Sequence, residues 1–529
     1  MGDCRVDGKN SPPVESPEEM VGRFQAELIT ALPGWKQRLT TNPGQLAEVE
    51  GEVHVACSRG ADLLVVGLLA VAMKNEAFDD ACEGTRRGFA YPLERGRSRQ
   101  VRVRLLGGLL IWVTSLYCAP RSTRNRSTDE KVPGVYVELK QFGFGKGCTP
   151  GLQSKVARQA ALCPSLEFAQ QELERDGVQL AVKTVRRITR QCGIGLLRLR
   201  THELQLWREG TLPAGAELAG QRVSVQLDGG RTRIRGELRD VASVAETTDA
   251  DGLPLENAPG RSRKRPRKTF DPDWREPKLL TIYVHDEQGR MVKHSRATVD
   301  GTFQGPDAAA ELVALHLHRL GAARAQSITF VADGGVWIWD RIAAIVRLAK
   351  LDRVPIHEVL DCYHAAHHIS LALAALGYGD KERRPLYREH RTLLRNGQWR
   401  RVAEELTELA GDAPENSKFW TEIAYLQKHG AAGRLKYPTF RGQGLPLGSG
   451  AIESSIRRVV NLRLKGNAIY WREENAEAML QIRALVLTNR WDERLDKLYQ
   501  LQLHDGRTQW HWLPQNMRSQ TECATPPIT

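Results

Sequence analysis

The sequence predicts a multidomain α/β protein in which a mainly helical N-terminal region precedes a mixed-sheet domain interrupted by an all-α insertion. Three observations carry this. The chain has 529 residues, more than one hydrophobic core usually organises. Residues 222 to 236 alternate like a strand, 279–285 and 291–299 read as two more around a Gln288-Gly289 turn, and Ser327 to Ala332 reads as a fourth. Finally, 120 residues separate Asp333 from Glu453, far more than a single crossover helix needs.

Taken in order, residues 1–17 and the tail 511–529 are polar and proline-bearing, with little to bury, and read as disordered. Residues 18–164 form the N-terminal, mainly helical domain, with a short β element near 101–116. Residues 165–215 read as a helix-turn-helix segment. Ser165 caps a first helix whose Leu166, Ala169 and Leu173 face inward, Asp176-Gly177 makes the turn, and a second helix of about ten residues starts at Val182. Its outer face offers Lys183, Thr184, Arg186, Arg187 and Arg190, suited to a DNA major groove. An ordinary helical hairpin with a solvated basic face would carry the same pattern.

Residues 220–375 hold the first part of the mixed-sheet core, including a helix from about Asp307 to Leu320 stopped by Gly321. The insertion, 376–440, is rich in Arg, Glu and Leu at helical spacing, with Trp399 and Trp420 as expected anchors. Residues 441–510 complete the core.

Three short stretches carry the chemistry. In Val225-Gln226-Leu227-Asp228-Gly229-Gly230 and Phe330-Val331-Ala332-Asp333-Gly334-Gly335, an apolar run ends in an Asp, and the glycine pair turns the backbone away from the carboxylate. In Gly448-Ser449-Gly450-Ala451-Ile452-Glu453, the acid falls on the first turn of a helix. Three carboxylates gathered around divalent cations suit phosphodiester chemistry, where one oxygen must be activated and another neutralised as it leaves. Asp228, Asp333 and Glu453 are the candidate catalytic and metal-binding set. Arg457, four residues after Glu453, could instead pair with it along the helix.

At these residues the chain resembles the bacterial insertion-sequence transposases with a DDE triad, most nearly the Kra-type group. The longest likeness runs from Gly448 through Arg457, Arg458, Arg463, Lys465, Trp471, Met479 and Arg483 to Trp491. Trp274-Arg275-Glu276-Pro277-Lys278, Trp337-Ile338-Trp339 and Leu360-Asp361-Cys362-Tyr363-His364 add to it. The resemblance covers roughly 100–495 and implies a ribonuclease H-like catalytic domain with a helical insertion. It implies two Mg²⁺ ions, for which Mn²⁺ can substitute, and makes Asp361 and His364 an auxiliary motif. Double-stranded DNA, as transposon ends and target, becomes the expected partner, bound by a homodimer or higher assembly. A cytoplasmic, nucleoid-associated bacterial protein is implied. Related transposases often carry a zinc knuckle after the β element; here only Cys118 remains, so zinc is not expected.

Composition agrees with a polyanionic partner: 76 Lys and Arg against 63 Asp and Glu give a net charge of +13 and a pI near 9.4. Arg261-Ser262-Arg263-Lys264-Arg265-Pro266-Arg267-Lys268 is the densest basic run and could order along phosphates beside Asp228. DNA contacts are therefore expected from Arg263, Lys264, Arg265, Arg457, Arg458, Arg463, Lys465 and Trp471. Nine scattered cysteines without a Cys-x-x-Cys pair fit a reducing compartment. No secretory signal is read at the start, and the apolar runs Leu63–Met73 and Leu105–Val113 look too short for a membrane span. A ribonuclease H-like nuclease that cuts without joining, and a DNA-binding regulator, are the rival readings.

Overall fold

The computed structural model describes residues 4–6, 16–89, 92–120, 134–240, 268–411, 418–467 and 469–504. The protein is a mixed α/β chain of two compact units, one comprising Met1–Leu212 with Gln481–Pro526, the other principally Pro213–Leu480.

The second unit is built on a five-stranded sheet. In spatial order its strands are Ile356–Leu360, Ser327–Ala332, Arg222–Gly229, Lys278–Val284 and Thr298–Thr302. The last three run antiparallel as neighbours, whereas Ser327–Ala332 lies parallel to both Arg222–Gly229 and Ile356–Leu360. Every residue of Ser327–Ala332 and Thr298–Thr302 is buried, so both sheet faces are covered. Helix Pro306–Leu320 lies between Thr298–Thr302 and Ser327–Ala332 in the chain and ends at Gly321 in the left-handed conformation, as its sequence predicts. On helix Glu473–Leu487, Glu477 accepts a hydrogen bond from Thr302 (2.9 Å).

Two strand expectations are corrected. Residues 222–236 are not one strand: the first ends at Gly229, and Thr232–Asp240 pairs instead with Lys268–Arg275 as a separate two-stranded ribbon. Residues 291–297 carry only a single bridge, Met291 to His285, because the strand proper begins at Thr298. Alternation alone does not distinguish a strand that leaves its sheet from one that continues.

The insertion is helical as its spacing predicts, with Asp380–Arg395, Trp399–Ala410 and Lys418–Ala431. Trp399 anchors it by lying against Gly430, where a Cβ would come within 2.3 Å of the indole. The second anchor is Phe419, fully buried, with Trp420 edge-on beside it (4.9 Å).

In the first unit, helices Pro17–Thr41 and Leu46–Ala72 pack on the hairpin Leu93–Arg104 and Leu110–Pro120 through Met20, Leu63, Val66, Val103, Ile111 and Val113. Buried Asp62 accepts from the Gly107 and Leu109 amides (2.9 Å each), seating the hairpin turn on the helix. The β element is longer than expected. Residues 4–6, read from sequence as disordered, form a short strand parallel to Leu110–Pro120, while the tail 511–529 lies outside the described residues. The helical segment Pro43–Ala72 is long and apolar enough, by length and composition, to cross a bilayer, which corrects the shorter span read from Leu63–Met73 alone. A buried core helix passes the same test.

A three-helix cluster follows: Pro150–Leu162, Leu166–Arg175 and Val182–Arg208. Ser165 caps the middle helix as predicted, its hydroxyl accepting from Phe168 (3.0 Å), but the last helix runs 27 residues rather than about ten. Its apolar stripe continues through Ile194, Leu197 and Leu204. Buried Glu203 on that helix takes both guanidinium nitrogens of buried Arg494 (2.6 and 2.8 Å). Removing one partner strands the other charge in the interior. Arg494→Met is therefore expected to lower the unfolding free energy of this unit by roughly 3–5 kcal/mol, read as a shifted denaturant midpoint.

Candidate functional site

The two candidate aspartates stand at the ends of neighbouring parallel strands. Asp228 is the penultimate residue of its strand, and Asp333 directly follows the parallel neighbour, in which Val331 is registered against Gln226. The carboxyl group of Asp228 is pushed up to about 6, first by burial and then by the nearby Asp333 carboxylate, with Glu276 adding to the effect. His364 and a hydrogen bond from the Gly229 amide act in the opposite direction.

Asp333 is held from the insertion. Tyr425, on helix Lys418–Ala431, donates its hydroxyl to the Asp333 carbonyl (2.7 Å). Gly334 adopts φ +97°, and a Cβ there would stand 2.3 Å from that hydroxyl, so glycine is needed twice over. His368 stacks on the Tyr425 ring (3.6 Å between centroids) and hydrogen-bonds Glu422.

Glu453 lies on the first turn of helix Gly450–Ser455, as predicted, and is exposed. The turn before it is pinned to the sheet by Gln226, a fully buried side chain. Its carbonyl oxygen accepts from the Ile452 amide (3.0 Å), and its nitrogen donates to the Gly448 carbonyl (3.1 Å) and the Tyr283 hydroxyl (3.0 Å). Asp361 adds a second pin. One of its oxygens caps helix Cys362–Ala375 through the Tyr363 and His364 amides (2.7 and 2.8 Å), and the other takes the Ser449 amide and hydroxyl (the latter 2.6 Å). The Ser449 hydroxyl also lies 3.2 Å from a Glu453 oxygen. A wide π-turn, Ile456–Asn461, follows at once, a departure from α geometry common beside functional sites.

Among the described residues, no group of three or more His, Cys, Asp or Glu side chains is close enough to hold a metal. Asp228 and Asp333 are brought together with His364 nearby, whereas Glu453 faces an open cleft of ≈ 510 Å³ lined also by Tyr283, Asp361 and Tyr363. No ion pair joins Glu453 to Arg457, which is exposed.

The expected DNA contacts divide. Lys183, Arg186, Arg187 and Arg190 are exposed on one face of their helix, with Thr184 half-buried beside them. Arg187 and Arg190 line a cleft of ≈ 670 Å³ with Lys140, Lys146 and Gln191. Arg458 and Lys465 are exposed too. Arg463 is corrected: it is buried, its guanidinium over the ring of half-buried Trp471 (5.2 Å), which removes Arg463 from an open DNA surface. Trp471 instead bridges by backbone to the Arg233–Arg235 strand, and its indole nitrogen is buried. Arg263, Lys264 and Arg265 lie outside the described residues.

Sequence reasoning missed Gln226 and Tyr425. A glutamine inside the apolar Val223–Leu227 run was the available signal for the first, since a polar group there must find partners. Nothing local marks Tyr425. No protein-family model, curated protein or solved structure matches this chain.

Two outcomes follow. Gln226→Met takes a partner from the Gly448 carbonyl and the Tyr283 hydroxyl and leaves the Ile452 amide with the Ser449 carbonyl alone, and is expected to cost about 1–3 kcal/mol in unfolding free energy. Because the folded-state pKa of Asp228 is raised, its proton stabilises the fold at low pH, and that contribution is lost as pH rises from about 4 to about 6. Asp228→Asn should therefore melt at a higher temperature than the parent above pH 6 without divalent cations, with the gap closing toward pH 4.

Proposed function

We propose that the protein is a DNA transposase of an insertion sequence, cutting element ends and joining them to target DNA by a DDE mechanism. The observation that carries this reading is the pairing of Asp228 and Asp333 at the ends of adjacent parallel strands, coupled closely enough that one raises the pKa of the other. The sheet order, three antiparallel neighbours extended by two parallel strands, fits a ribonuclease H-like core. The resemblance along Gly448–Trp491 and the basic charge of the chain point the same way.

The donor set fits a divalent cation: two carboxylates that repel each other in a partly buried site gain most from a positive charge between them. Asp228, Asp333 and Glu453 would hold Mg²⁺, the first two from adjacent strand ends and Glu453 from the exposed side of its helix. Bound there, the ions would supply activation of the attacking oxygen and neutralisation of the leaving one.

The chain's own residues do the positioning. Tyr425 and Gly334 set the backbone at Asp333, while Gln226 and Asp361 set the turn that carries Glu453. His364 lies close enough to Asp228 to offset part of the rise in its pKa. Exposed Arg457, Arg458 and Lys465 follow Glu453 in the chain and suit phosphate contacts, and the basic face of helix Val182–Arg208 suits a groove.

The test is cleavage and strand transfer on a labelled duplex carrying the element's own ends, in Mg²⁺, comparing the parent with Glu453→Gln and Asp333→Asn. Loss of cutting by at least about a hundredfold with binding retained is expected for both variants. Equal cutting by Glu453→Gln would remove Glu453 from the set. Cutting without joining would indicate a nuclease, and binding without cutting by the parent a regulator.

A further inference from the structure

The ribbon formed by Thr232–Asp240 and Lys268–Arg275 leaves the sheet just after Asp228, and its two faces differ. Thr232 and Ile234 are buried on one face. Strand alternation then puts Arg231, Arg233 and Arg235 on the other, together with Phe270, Pro272 and Trp274 from the partner strand, where Arg233 is registered against Trp274 and Arg235 against Pro272. The side chains interleave. Arg231 and Arg233 lie over the Trp274 ring (5.2 and 5.1 Å), Arg233 also over Tyr470 (5.6 Å), and Arg235 over Phe270 (4.9 Å).

Charge is segregated as well. Asp271, Asp273 and Arg275 alternate onto the opposite face, where Arg275 pairs with Asp273 (2.8 Å), so over residues 231–235 and 270–274 the arginine face carries no acid. Trp274 stays 46% exposed despite its two arginines. Arg233 gives one N–H to the Tyr470 hydroxyl (3.4 Å) and Arg235 its Nε–H to the Tyr470 carbonyl (3.2 Å), which leaves their other N–H groups, and those of exposed Arg231, for a phosphate. Alternating cations and aromatic rings on an exposed strand pair suit a ligand that alternates phosphates and flat bases, which a duplex does not offer because its bases are stacked inside.

We propose that this ribbon face binds a single DNA strand, with phosphates on Arg231, Arg233 and Arg235 and a base stacked on Trp274, and so leads an unpaired strand to Asp228 and Asp333. This rests on the reading of the carboxylates as a DNA-cutting site. It adds that the strand arrives unpaired there.

The experiment measures binding of a labelled oligothymidylate to the full-length protein without metal, across a salt series, with a duplex and an oligouridylate as comparison ligands. Trp274→Ala is expected to weaken oligothymidylate binding about tenfold with the salt slope unchanged. Arg231→Ala/Arg235→Ala is expected to weaken it and reduce the slope of log K against log salt by about 1.4, two contacts at ~0.7 each. Arg231→Lys/Arg235→Lys should retain the slope, which separates lost charge from a damaged fold.

Binding by Trp274→Ala and the double Ala variant at parent affinity would overturn the proposal. So would an equal loss on duplex and single strand, or preference for oligouridylate. If the ribbon variants behave as expected while the parent neither cuts nor joins DNA, the transposase reading falls and the strand-binding face stands. If the parent cuts and joins while Trp274→Ala binds normally, the ribbon proposal falls alone.

Discussion

A buried glutamine amide organises the candidate site. Gln226 sits two residues before Asp228 and points to the same side of its strand, so the geometry that presents the carboxylate also presents the amide. Both ends of that amide are used, on Gly448, Ile452 and Tyr283. In a dry interior an amide left without partners costs several times what a satisfied hydrogen bond contributes, so the turn carrying Glu453 has little freedom to dock elsewhere. Asp361 reinforces the arrangement because its carboxylate caps one helix and holds the first residues of another. Residues 226, 361 and 449 are thus joined by groups that report nothing about their partners locally.

The aspartate pair works against folding. Its mutual repulsion and partial burial raise the pKa of Asp228, and the surrounding buried sheet must compensate. Each fully buried Val, Ile or Phe side chain in those strands contributes roughly 1.5–3 kcal/mol, which is enough to hold two acids at adjacent strand ends. The insertion participates through Tyr425, whose hydroxyl, pushed up by burial and by nearby carboxylates, stays a donor to Asp333. The helical insertion therefore supports one of the acids.

The segment from Gly448 to Trp491 serves two ends. Its first half presents Glu453 and the π-turn, whereas its last part contributes buried Arg483 and Trp491 to the first unit, the indole donating to Ser154 (2.8 Å). That stretch thus mixes packing with the candidate site, and Arg463, read from the sequence as a DNA contact, belongs to the packing.

The sequence by itself determined the local elements: the helix Pro306–Leu320 with its glycine stop, the buried strand before Asp333, the capped helix after Ser165 and the helical insertion. These follow from periodicity, capping and turn chemistry, which act over a few residues and are written in adjacent positions. Only tertiary structure decided that Thr232–Asp240 leaves the sheet, that Gln226 and Asp361 pin the Glu453 turn, and that Tyr425 reaches Asp333. The partners in those contacts lie 88 to 226 positions apart in the chain, apart from the ribbon itself. Pairings at that distance depend on which surfaces meet after the elements form, and no local preference of either residue specifies them.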